Sequence, residues 1–160
     1  MRLKTGLLIF LLLLIGGCTT FKPVAHKGKT INGTFEANYG GKDFEGFFSL
    51  SGGNLRMDVI NALGFSVYGL YVKGGDVYVV DYQSNKRYED LRFSDVDLNS
   101  YKALIVGISE NFFGLCRNGF KDLVILKCRQ FKGVYIPVDF ILRSKNRRLR
   151  IRLLKVNVKG

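Results

Sequence analysis

From Ile31 onward, apolar and polar residues alternate with a period of two. Phe35, Ala37 and Tyr39 interleave with Thr34, Glu36 and Asn38 until Gly40-Gly41 breaks the run. Phe44 to Leu50 resumes the alternation, Ser51-Gly52-Gly53-Asn54 turns it, and Leu55 to Ile60 alternates again. Asn61-Ala62-Leu63-Gly64 forms a loop before Phe65 to Val72. Lys73-Gly74-Gly75-Asp76 is another turn, Val77 to Asp81 is β-branched, and Gln83 to Lys86 leads into Arg87-Tyr88. Successive side chains of a strand point to opposite faces, so short alternating runs joined by Gly-rich turns predict consecutive antiparallel hairpins. In this phase Asp58, between Met57 and Val59, faces solvent.

The middle of the chain changes character. Asp97 to Gly107 suits a short helix, with Asp97 or Asn99 as its cap and Gly107 at its end. Ser109 to Leu115 suits a second helical turn. Strand patterning returns at Leu123 to Arg129, Val134 to Leu142 and Arg148 to Val158. No repeat, low-complexity tract or domain boundary interrupts residues 31–160, which read as one domain, mainly β with short helices.

The N-terminus obeys different rules. Arg2 and Lys4 precede nine unbroken apolar residues, Leu7 to Ile15, and then Gly16-Gly17-Cys18. The apolar run is short of the roughly 20 residues that span a bilayer, and its length and flanks are those of a signal peptide. Ile15-Gly16-Gly17-Cys18 resembles the bacterial lipobox. That resemblance implies a signal at residues 1–17, diacylglycerol on the Cys18 thiol and a tether over residues 18–30. Thr19, where an Asp would retain a lipoprotein in the inner membrane, directs the expectation to the outer membrane, facing the periplasm.

The chain of 160 residues carries 25 Lys+Arg against 13 Asp+Glu, a net charge of +12. With 47% hydrophobic residues it is not a disordered chain. Such a charge is a nucleic-acid signal, but an exported lipoprotein meets phospholipid phosphates instead, where a basic side chain contributes about 1 kcal/mol. Arg148, Arg150 and Arg152 alternate with Leu149, Ile151 and Leu153, so three guanidinium groups share one strand face. That face is either a solvated edge guarded by charge or a contact for anionic lipid. Cys116 and Cys128 are either a disulfide or two buried thiols, since sequence does not give their separation. One His, scattered acids and no phosphate loop supply no catalytic or metal-binding constellation, so the expectation is a non-enzyme without a cofactor. The 21 Phe and Tyr residues fit either a filled core or a curved sheet around an apolar cavity.

The lipobox, the Asn61-Ala62-Leu63-Gly64 loop and Leu98-Asn99-Ser100-Tyr101-Lys102-Ala103-Leu104-Ile105-Val106-Gly107 together resemble the outer-membrane lipoprotein receptor family LolB and the wider LolA/LolB-like superfamily. The loop is similar to the Asn-Pro-Leu-Gly loop of that family, with Ala62 in place of Pro, and the helix lies where that family places one. The resemblance implies a strongly curved antiparallel sheet, an unclosed barrel with a helical lid, around an apolar hollow that takes acyl chains. It implies acylated lipoproteins as cargo, a periplasmic LolA-like carrier as donor and outer-membrane phospholipid as acceptor; export argues against nucleic acid, and a monomer is expected. Leu63 becomes the membrane-insertion residue. Phe47, Leu55, Met57, Phe65, Val67, Tyr78, Leu104 and Ile105 become the candidate cavity lining. The alternatives are a structural or interaction lipoprotein with a filled β core, and an accessory to a periplasmic hydrolase.

Overall fold

The computed structural model describes residues 28–160. The expected signal peptide, the expected lipidation residue Cys18 and the expected tether up to residue 27 lie outside the described residues.

Nine strands form one antiparallel sheet. They are β1 (Thr30–Tyr39), β2 (Lys42–Ser51), β3 (Asn54–Ile60), β4 (Ser66–Lys73), β5 (Asp76–Asp81), β6 (Lys86–Tyr88), β9 (Leu123–Phe131), β10 (Val134–Ser144) and β11 (Arg147–Lys159). Their order is β6-β5-β4-β3-β2-β1-β11-β10-β9. The chain thus meanders outward from β1 to one edge and returns on the other side of β1 through β11. The sheet curves without closing, since β6 and β9 are its two edges. Three of the hairpins use Gly-Gly turns, at residues 40–41, 52–53 and 74–75, and all six glycines have positive φ. Two successive residues in that region are what a two-residue turn matching the strand twist demands.

Between β6 and β9 the chain leaves the sheet and covers one face. A small hairpin, β7 (Arg92–Phe93) with β8 (Val96–Asp97), forms a strap, followed by helix α1 (Lys102–Asn111), a 3-10 turn, and helix α2 (Leu115–Asn118). Leu91, Phe93, Val96, Leu98, Tyr101, Ile105, Ile108, Phe112 and Leu115 are all buried, pressed toward Phe35, Leu50, Val72, Ile136 and Leu142 of the sheet. The strand runs were legible in sequence to within a residue or two, but this strap was not.

Two local expectations change. Gly107 does not end the helix, which continues to Asn111. A Cβ at Gly107 would lie 2.2 Å from Cζ of Phe120, so the glycine makes room for that ring. Asp97 and Asn99 do not cap α1, whose N-cap position is Tyr101 without a side-chain bond. Instead the Asn99 amide donates to Asp90 and Asp97, and its oxygen accepts from the Leu91 N–H at 3.0 Å, which ties the strap to the start of the helix. The Asn99 bonds also hold the Asp97 carboxyl below its ordinary pKa.

Cys116 and Cys128 form a disulfide with a Cα–Cα distance of 6.3 Å. It resolves the choice left open by the sequence, and it staples α2 to the edge strand β9. Closing a loop of this size contributes about 3 kcal/mol in the chain-entropy account.

Candidate functional site

The helix-covered face of the sheet encloses an apolar hollow of about 80 Å³. Leu55 and Met57 of β3 line it from the sheet and Ile105 of α1 from the lid, as expected. The only polar side chain in the lining is Ser109, and its hydroxyl donates to the Val106 carbonyl at 2.8 Å. The hollow is smaller than the roughly 150 Å³ that admits a benzene-sized guest. An acyl chain does not fit it with the lid in this position.

Five of the eight candidate lining residues lie elsewhere. Phe47, Val67 and Tyr78 do not line the hollow, because each neighbours a residue of the inward phase: Phe48, Tyr68, and Val77 with Val79. A shift of one residue reverses every side chain of a strand. Phe47 is 50% exposed. Phe65 belongs to the loop before β4 and is exposed. Leu104 packs against the core but does not line the hollow. Phe44, Phe48, Leu70, Phe93, Phe112 and Phe140 line the hollow and were missed. In β2 the phase Phe44–Phe48–Leu50 holds three large apolar residues against Phe47 alone, a signal that was available.

The lid carries one unsatisfied group. Among the described residues the Tyr101 hydroxyl is buried without a hydrogen-bond partner. Its ring meets Tyr39 edge-on at 6.2 Å. An orphaned buried hydroxyl carries a desolvation penalty of about 1–3 kcal/mol. Tyr101→Phe is therefore expected to stabilise the fold by about 1 kcal/mol, read as a raised urea midpoint.

The loop between β3 and β4 is exposed and ordered by a single side chain. Asn61 Oδ1 accepts from the backbone N–H groups of Leu63 and Phe65, both at 3.0 Å. The Gly64 N–H donates to the Asn61 carbonyl, and the Asn61 N–H to that of Phe65. Gly64 supplies the positive φ that this turn requires. Held in this way, Leu63 is 80% and Phe65 66% exposed. The structure thus puts Leu63 at the tip where the sequence placed it.

On the open face, Asp58 is only 8% exposed, contrary to its expected solvent position. Tyr82 folds over it across Gly69, donating its hydroxyl to Asp58 Oδ1 at 2.6 Å. Tyr71 Oη lies 2.5 Å from Tyr82 Oη and must be the donor there. Arg56 completes the cluster through Asp58 Oδ2 at 2.9 Å. Burial, with these bonds, pushes the Tyr82 phenol far above its ordinary pKa, and the Asp58 bond raises Arg56. Tyr71 stacks on Tyr78, with Arg87 over the Tyr78 ring at 3.6 Å. This cluster fastens strands β3 to β6 and does not border the hollow.

The three arginines of β11 share the open face as expected, while Leu149, Ile151 and Leu153 are buried. Arg150 makes two bonds to Asp139, at 3.0 and 2.8 Å, and Arg152 bonds Glu36. Arg148 lies opposite Arg143 in the ladder. Among the described residues no helix is long and apolar enough to cross a membrane.

No family model matches the chain, and no curated protein matches it. Among solved structures, the chain is similar to a DUF1329 family protein from Desulfovibrio piger, with a TM-score of 0.45 and 9% identity. The match covers 82% of this chain and 86% of that chain.

Proposed function

We propose that this chain is a lipid-anchored, LolB-like acceptor that takes acylated lipoproteins from a LolA-like periplasmic carrier and passes them to the outer membrane. The observation that carries this reading is the β3–β4 tip, where Leu63 and Phe65 stand out in water on a loop braced by Asn61. A fold gains nothing from two large apolar side chains held in solvent. A bilayer does, since burying each contributes about 1.5–3 kcal/mol. Transfer by this route is binding and release and involves no covalent step. The anchor geometry is compatible: the tip and the start of β1 lie at opposite ends of the sheet, about 33 Å apart for a ten-residue strand. The twelve residues from Cys18 to Lys29 reach about 40 Å when extended. The tether is therefore long enough for a domain anchored at Cys18 to lay its Leu63 end on the same bilayer.

The test is Leu63→Glu in a reconstituted assay that moves acylated cargo into vesicles. Because the side chain is exposed, stability is expected to change by less than about 0.5 kcal/mol. Insertion should fall to the background without protein. Normal insertion by the variant removes the role of the tip.

The 80 Å³ hollow favours a second reading, an interaction lipoprotein with a filled core. The two part on acyl binding: a fluorescent fatty-acyl probe is taken up by an acceptor whose lid opens and is ignored by a filled core.

A further inference from the structure

The surplus charge is not spread over the molecule. Residues 121–160, which supply β9 to β11, contain twelve Lys and Arg and two acids, whereas residues 28–120 contain nine and eleven. Among the described residues, the ion pairs along β11 are confined to the middle, at Arg150 and Arg152, and stop short of both ends. Arg152 faces Asp139 and Glu36 across the ladders, and Arg150 holds Asp139 diagonally. The next pair toward the β10–β11 turn is Arg143 opposite Arg148 on the same face, and neither makes an ion pair among the described residues. Like charges directly opposite each other destabilise a sheet. Lys145 occupies the turn itself, and the segment holding Lys121 and Asp122 lies alongside, since the Arg143 N–H donates to the Asp122 carbonyl at 2.9 Å. Asp122 and Asp97 are the acids at this tip, and Asp97 faces the neighbouring Arg147 rather than Arg143 or Arg148.

The pairing register sets the orientation. Tyr39, Lys42, Leu142 and Leu149 lie at one level of the sheet, and Ile60, level with Glu45, is three residues short of it on the β3 side. The β10–β11 turn and the Leu63 loop therefore emerge from the same end. Four strand spacings, about 19 Å along the sheet, separate them.

We propose that this tip, formed by Arg143, Lys145 and Arg148 with Lys121, is a docking surface for the phosphate groups of an anionic phospholipid bilayer, engaged as Leu63 and Phe65 enter it. The inference rests on the membrane-contact reading for orientation and adds the lipid class. Phosphate diesters supply the counter-charge that the Arg143–Arg148 pair lacks within the fold. Cations at the interface and apolar residues a strand-width array away together fix the angle at which the domain meets the membrane.

The test uses the chain from residue 18 with Cys18→Ser, so that no acyl chain contributes. It is sedimented with phosphatidylcholine vesicles with and without phosphatidylglycerol. Binding should favour phosphatidylglycerol, weaken with salt, and fall on the order of tenfold in Arg143→Gln/Arg148→Gln. Relieved of repulsion, the double variant should melt no lower than wild type, which separates lost binding from lost folding. Equal binding to both vesicles, or unchanged binding by the double variant, overturns the proposal. Capture of polyglutamate without a lipid preference does so too, and assigns the tip to an acidic protein. Leu63→Glu reports separately: full phosphatidylglycerol binding by that variant counts against the loop and leaves the basic tip standing.

Discussion

Gly46→Ala should destabilise the domain by about 3 kcal/mol or more, among the largest effects available from a single methyl group. Gly46 is buried in β2, between Phe35 of β1 and Val59 of β3. A Cβ built there would lie 1.7 Å from the carbonyl oxygen of Asp58 and 3.1 Å from the Phe35 ring. The first obstacle is backbone, so no rotamer change relieves it. β3 has to move away from β2, and ladder hydrogen bonds worth about 1 kcal/mol each go with it. Glycine inside a strand commonly marks such a close approach at a bend, and here it lets the sheet curl over the hollow. Gly69→Ala is the control. The added Cβ meets side chains only, the Tyr82 hydroxyl at 2.3 Å and the Tyr71 ring at 2.7 Å, so its cost is the Tyr82 bond to Asp58 and not a displaced strand. Urea denaturation followed by circular dichroism compares the two. A loss below about 1 kcal/mol for Gly46→Ala would mean that the curvature does not depend on this contact.

The same position explains which parts of the structure were legible in the sequence. The hairpins were, because a period of two and paired glycines are local signals. So was the arginine face of β11, where charged and aliphatic residues strictly alternate, whereas the exposed Leu63 was reached only through the resemblance of its loop, since residue pattern alone leaves a hairpin-end leucine free to be buried. The inward phase of β2 and β5 was harder. Phe47 and Phe48 are adjacent, and Tyr78 lies between two valines, so a residue-by-residue reading offers a large apolar group for either face. Asp58 was misplaced because the group that buries it, Tyr82, comes from the far side of β4 and β5. Gly107 was read as a helix stop because the Phe120 ring that needs its space is thirteen positions away in the chain. In each case the deciding contact is tertiary. The size of the hollow is tertiary in the same sense: it depends on how deeply Ile105, Ile108 and Phe112 reach toward Phe48 and Phe140, which no spacing encodes.

In the proposed function that size makes the position of α1 the point on which acyl transfer would turn. A covalent link between Gly53→Cys and Glu110→Cys should abolish acyl binding and cargo transfer, and reduction should restore both. The pair is suited to a disulfide. The Cβ direction of Gly53, in the β2–β3 turn, points at Glu110 of α1, 3.8 Å from its Cα, within the reach of a bridge. The positive φ of Gly53 adds about 1 kcal/mol of strain with a side chain, which the bridge offsets. Opening requires Ile105, Ile108 and Phe112 to leave the sheet, and each fully buried apolar side chain contributes about 1.5–3 kcal/mol. The open state of the free domain is accordingly rare, and incoming acyl chains must replace those contacts with their own. A bridge at Glu110 holds the C-terminal end of α1 on the turn and prevents that exchange. Wild-type protein under the same reductant controls for loss of the Cys116–Cys128 bond. If the locked protein binds a fluorescent fatty-acyl probe as the reduced one does, the hollow is not the acyl site. If neither form binds it, the core is filled in fact as well as in this conformation, and the exposed Leu63 end has to be explained by membrane contact alone.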